Sequence, residues 1–277
     1  MKGICHQSMP SYQHEKFLSA LVVVNLSDFV VPSSKILKFS LAHANHFYSQ
    51  LSTIDDPDFV IGVVEFTPEL PTVNWPLRTV LHFENYTRII GEAAEQDVDI
   101  LVFPEYTLNN VAFPIAIPDP LDNLNPCIES DLFDNLLVDL SCLARENKIY
   151  LSINLNEREE CTDDLQQSRN DSRPCNRNGF SLFNSNVVFD RNGTVVGRYR
   201  KFNLFREGGV NTTLTAELST FTADFGVTFG NIICFDVLFF EPAMQLVQMG
   251  VKNFLFSAMW VSELPFLNCK RSLIVLY

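Results

Sequence analysis

Short, uninterrupted apolar runs constrain this chain more than any other feature. They occupy residues 59–66, 99–103, 149–155, 227–233 and 253–257, and the second is stopped by Pro104. Runs of this length are too short for most helices, and their lack of alternation fits strands buried on both faces. Such strands require covering layers above and below. Between them, residues 77–96 and 131–147 carry helical patterns, with Val80, Leu81, Ile89, Ile90 and Ala93 marking the first. Residues 186–197, with Asn192-Gly193 as the turn, predict a β-hairpin. A further helix is expected over 242–249, with Pro242 in its first turn. Strands alternating with helices around one embedded hairpin indicate a mixed α/β sheet domain over residues 58–277, preceded by an N-terminal extension over 1–57.

Composition removes several function classes. A formal net charge of −13 opposes phosphate, so no nucleic-acid partner is expected. No apolar run reaches transmembrane length. Residues 17–26, which follow Lys16, read either as a signal-peptide core within 1–27 or as a buried strand. Among 7 cysteines there is no C-x-x-C pair, and His43 and His46 lack further ligands, so no metal site is predicted. Cys161 and Cys175 bracket a polar stretch and form either a disulfide or two unpaired surface thiols. Sequons begin at Asn25, Asn85, Asn170, Asn192 and Asn211. With the bracketed loop they point to the secretory pathway, and so to an extracellular or membrane-associated protein.

The chemistry centres on Cys234, delivered to the end of the 227–233 run just ahead of Asp236 and Glu241-Pro242. At a strand-to-helix junction, unpaired backbone N–H groups lower a thiol's pKa and hold an oxyanion. The competing reading is an inert core cysteine. A cysteine nucleophile needs a base, and of the 5 histidines only His82 falls inside the compact region. That leaves a carboxylate. Glu105 follows Pro104 at a strand's carboxyl end, where open α/β sheets place their chemistry, and Lys201 follows the hairpin. Alternatively Glu105 caps a helix, and Lys201 sits at the surface with Arg198 and Arg200.

Phe103-Pro104-Glu105, Arg198-Tyr199-Arg200-Lys201-Phe202-Asn203-Leu204-Phe205 and Cys234-Phe235-Asp236-Val237-Leu238-Phe239 resemble the three catalytic motifs of the nitrilase superfamily, in order. Ile117-Pro118-Asp119-Pro120, Leu140-Ser141-Cys142-Leu143-Ala144 and the Cys161…Cys175 loop resemble its vanin/biotinidase branch. The resemblance covers roughly residues 58 to 267. It implies an α/β fold of the αββα sandwich type, incomplete at its C-terminal end, because relatives continue through further strands and a second domain. It also implies a carbon–nitrogen hydrolase acting on a small-molecule amide with no cofactor. Cys234 is then the nucleophile, Glu105 the base, and Lys201 with the Phe235 N–H the oxyanion donors. Glu207 either orients Lys201 or is a solvated loop carboxylate. Pantetheine is the first expected substrate and a biotin amide the second. A secreted glycoprotein with a relic triad is the non-enzymatic alternative. Tyr106 stands where many vanins carry Asp. The sequence carries no signal of oligomeric state.

Overall fold

A computed structural model describes residues 17–19, 37–40, 51–56, 58–66 and 74–261. Most of the expected signal segment, the Asn25 sequon, Cys5 and Cys269 lie outside them. The strands are β1 (Phe17–Ser19), β2 (Leu37–Ser40), β3 (Val60–Val63), β4 (Ile100–Val102), β5 (Tyr150–Glu160), β6 (Phe180–Phe189), β7 (Val195–Arg200), β8 (Thr220–Thr222), β9 (Thr228–Ile233), β10 (Asn253–Ser257) and β11 (Met259–Val261). The helices are α1 (Trp75–Ala94), α2 (Asn135–Asn147), α3 (Asp163–Ser168) and α4 (Gln245–Gln248).

Strands β2 to β7 form a mixed sheet in sequence order, parallel through β3-β4-β5 and antiparallel at both flanks. The sheet therefore takes in Leu37–Ser40, ahead of residue 58. A second sheet has the order β10-β9-β8, and β1 pairs with β11. Alternation along each strand decides what lies between the layers. Leu101, Leu151 and Ile153 turn to α1 and α2, against Tyr86, Ile90, Leu137 and Leu140. Ile100, Val102 and Val188 turn the other way, onto Phe221, Phe229 and Leu255 of the small sheet. Leu246 of α4 packs behind the small sheet with Ile232 and Phe256. The result is an αββα sandwich.

The hairpin forms where Asn192-Gly193 predicts it. Gly193 has φ +87°, and a Cβ there would come within 2.6 Å of the Ser141 carbonyl oxygen, so only glycine fits. Both arms outrun the expected bounds: β6 starts at Phe180 because β5 continues through residues 156–160 while paired to it, and β7 runs on to Arg200 against Ser185. The expected helix over 131–147 instead begins at Asn135, after a short 3₁₀ turn at Ser130–Leu132. The helix expected from Pro242 is also shorter. Glu241 is extended, and regular α geometry is confined to Gln245–Gln248.

Cys161 and Cys175 are disulfide-bonded, closing a loop that holds α3. A second disulfide, Cys127–Cys142, has no counterpart in the sequence reading. Among the described residues no helix is long and apolar enough to cross a membrane, and no cluster of His, Cys, Asp and Glu offers a metal site. Asn85, Asn170 and Asn192 are exposed, while Asn211 is half-buried and its amide oxygen accepts the Leu182 N–H.

Candidate active site

Three loops at the carboxyl ends of β4, β7 and β9 supply the polar side chains. After β4, Phe103 and Pro104 lead into a tight turn in which Glu105 is only 2% exposed. It caps no helix. Its Oε1 accepts Lys201 Nζ at 2.7 Å and Asn184 Nδ2 at 2.8 Å, and its Oε2 accepts the Met259 N–H at 3.0 Å. All three hydrogen bonds are accepted by the carboxyl group, which aims inward.

Lys201 follows β7 directly and is 1% exposed, which rules out the surface position the sequence left open. Burial alone would lower its pKa. The adjacent Glu105 and Glu207 side chains outweigh that and raise it, so Lys201 is a cation here. Glu207 is not a solvated loop group either. Its Oε1 pairs with Lys201 Nζ, while its Oε2 accepts Asn184 Nδ2 at 3.0 Å and the Tyr106 hydroxyl at 2.7 Å. Burial pushes the Glu207 pKa up, but Lys201 and these donors bring it below the ordinary value.

Cys234 follows β9 directly and opens a 3₁₀ segment, Cys234–Leu238, with φ +46° at the cysteine. That left-handed backbone is unusual for a residue with a side chain. It aims the thiol away from the strand, so that Sγ lies 3.9 Å from the Met259 carbonyl oxygen and within reach of Glu105 and Lys201. Asp236 anchors the turn. It is fully buried and accepts the Ile233 N–H at 3.2 Å, the Tyr199 hydroxyl at 2.8 Å, and the Asn203 N–H and Nδ2 at 2.8 and 2.9 Å. One carboxylate therefore ties the cysteine turn to the segment carrying Lys201.

The thiol differs from the sequence expectation in one respect. A junction N-terminus lowers a cysteine's pKa, yet burial first, and then the charge and hydrogen bonding of Glu105, push the Cys234 thiol well up, with Lys201 only partly opposing. A five-residue 3₁₀ turn has too little dipole to offset removal from water. The resting group is the neutral thiol, poised beside a carboxylate.

His82 plays no part in this cluster. It is buried on α1 with Nδ1 against the Thr107 carbonyl, and burial lowers its pKa. Asn184 is the site residue that sequence reasoning missed, whereas Asp236 and Tyr106 were singled out without the contacts they make. Asn184 and Asn186, two apart on an otherwise buried strand, were the visible signal. A cavity of about 530 Å³ lies elsewhere: Arg198 and Arg200 line it from the face of β7 opposite Tyr199. Arg169, Arg173, Arg198 and Arg200, which line it, are each paired with a carboxylate.

Residues 74–267 match the family model described as carbon-nitrogen hydrolase. Over 225 residues the chain is 45% identical to vanin-like protein 2 of Drosophila melanogaster, covering 79% of the chain and 41% of that protein. It is 38% identical to vanin-like protein 3 of the same organism over 227 residues, covering 79% and 42%. With the biotinidase of Homo sapiens it shares 36% over 194 residues, covering 66% and 34%. The chain spans 34 to 42% of the length of these relatives.

Proposed function

Since the chain belongs to the carbon–nitrogen hydrolase family, we propose that it hydrolyses a linear secondary amide through a thioester on Cys234. The observation that carries this reading is the convergence of Glu105, Lys201 and the Cys234 thiol, from three distant segments, on one desolvated point.

Glu105 takes the thiol proton as Sγ attacks the carbonyl carbon, which suits a thiol that rests neutral. The oxyanion collects against the Lys201 ammonium and the Phe235 N–H, in the first turn after the nucleophile. Glu105 then passes its proton to the leaving nitrogen. The C–N bond breaks, and amine departs from the Cys234 thioester. Water enters, gives a proton back to Glu105 and attacks the thioester carbon. The C–S bond breaks, sulfur recovers its proton, and the carboxylic acid leaves. Glu207 holds Lys201 throughout. The cycle consumes one water and needs no redox partner.

Pantetheine, yielding pantothenate and cysteamine, is the proposed substrate, in keeping with the likeness to vanin-like proteins. A biotin amide is the second reading, favoured by the likeness to biotinidases. The disulfides and exposed sequons suit a protein glycosylated in the secretory pathway. The test is amine release from pantetheine and from biocytin, run beside Cys234→Ala. Release from one substrate that vanishes in the variant supports the reading. Release from neither above the variant's background favours the non-catalytic glycoprotein.

A further inference from the structure

We propose that Tyr106 is a positioning residue for the Lys201 ammonium: its hydroxyl donates to Glu207 Oε2 and thereby aims Glu207 Oε1 at Lys201 Nζ. The inference rests on the reading of Cys234 as a thiol controlled by Glu105 and Lys201.

Three observations carry it. Tyr106 has φ +58°, a left-handed conformation in which an aromatic residue is rare. Strain of that kind persists only where surrounding contacts enforce it. Here they do: the Tyr106 N–H donates to Asn154 Oδ1 at 2.9 Å, and Asn154 Nδ2 donates to Asn184 Oδ1 at 2.7 Å. The bent backbone delivers the phenol to Glu207 at 2.7 Å, across a loop that otherwise leaves that carboxylate to Lys201, Asn184 and the Phe205 N–H. Third, the phenol stays a donor. Burial first, then the charges of Glu207 and Glu105, push its pKa far up.

The link to the thiol is electrostatic. Cys234 faces two charged groups, Glu105 and Lys201, together with the Met259 carbonyl. Lys201 faces Glu105, Glu207 and Cys234. Losing the Tyr106 hydroxyl leaves Glu207 Oε2 with Asn184 alone; the carboxylate tilts, and Lys201 follows it away from the sulfur. The thiolate loses its cation and becomes harder to form.

The test is alkylation of Cys234 by iodoacetamide in the full chain, followed on the Cys234 peptide by mass spectrometry from pH 6 to 10. Tyr106→Phe keeps the ring and removes the donor. Its expected effect is an alkylation rate about ten-fold lower across that range, where a small thiolate fraction carries the reaction, the scale of one hydrogen bond to a charged group. In a Glu207→Gln background the same substitution is expected to change nothing further. A Tyr106→Phe profile superimposable on the parent would overturn the proposal. So would an equal decrement in both backgrounds, since that means the ring acts by packing alone. Because the readout needs no substrate, a chain inert towards amides that still shows the non-additive pattern would sink the hydrolase reading and uphold the role of Tyr106.

Discussion

Lys201 Nζ sits 2.7 Å from Glu105 Oε1, with the two side chains 1% and 2% exposed. A pair so far from water is costly to assemble and more costly to break, because removing one partner strands the other's charge. Lys201→Met leaves Glu105 and Glu207 facing each other without a cation. It is expected to lower the unfolding free energy by roughly 3–5 kcal/mol in urea titration. Glu105→Gln keeps Lys201 paired with Glu207 and should cost less. Its effect falls on chemistry instead, with amine release reduced by about 10²- to 10⁴-fold. Equal stability loss in the two variants would contradict the asymmetry.

Cys234 adopts φ +46° in the sharp turn after β9. A Cβ in the left-handed region costs about 1–2 kcal/mol, and glycine escapes that cost. Cys234→Ala and Cys234→Gly both delete the sulfur, so they share the cavity it leaves. Cys234→Gly is therefore expected to be the more stable of the two by about 1 kcal/mol, net of glycine's extra freedom in the unfolded chain. The usual order, alanine above glycine, would show that the turn is not strained in solution.

The layered sheet was legible because apolar runs on both faces admit few alternatives, and the hairpin because its turn needs glycine. The order Glu105, Lys201, Cys234 was legible through residue type and position at strand ends. What escaped notice depends on contacts between distant segments. Residues 156–160 look like loop, yet they extend β5 because β6 supplies a partner and Arg200 meets Glu157. Asp236 looked like a turn former, but its role is set by Tyr199 and Asn203, which only folding brings near. Cys127 and Cys142 carried no local sign of pairing, since nothing around them is as polar as the Cys161 loop. The thiol's pKa direction was misjudged for the same reason: burial is a property of the whole packing, and it overrode the junction.

Ionisation of Cys234 should separate from catalysis. Glu105 raises the thiol's pKa and Lys201 lowers it. Glu105→Gln removes the opposing negative charge, so the thiolate forms at lower pH than in the parent. Lys201→Met removes the supporting positive charge, so it forms at higher pH. Thiolate absorbance near 240 nm, titrated against Cys234→Ala as blank, reads both shifts. Glu105→Gln would then have the more acidic thiol and the slower amide turnover. That combination is expected only if Glu105 serves as a base rather than as a device for storing thiolate.

Asp236 takes four hydrogen bonds while fully buried. Asp236→Ala leaves those donors without an acceptor, at about 1–3 kcal/mol for each that finds no water. A loss of at least about 3 kcal/mol in urea is expected. Amine release should fall with it, because the turn that presents Cys234 no longer grips the Lys201 segment. Asp236→Asn, which keeps an acceptor oxygen, should retain part of both.

The Cys127–Cys142 disulfide spans a sequence separation of 15 and closes the segment that leads into α2. That segment holds Asp134, which accepts the Ala116 N–H at 3.0 Å and pairs with Arg158 on β5. These contacts lie far along the chain from the Cys234 turn. By loop-closure entropy, Cys127→Ser with Cys142→Ser should destabilise the fold by about 3 kcal/mol. The alkylation profile of Cys234 should be unchanged, since neither residue touches Glu105, Lys201 or Glu207. A changed profile at unchanged stability would mean that the disulfide shapes the site and not the scaffold.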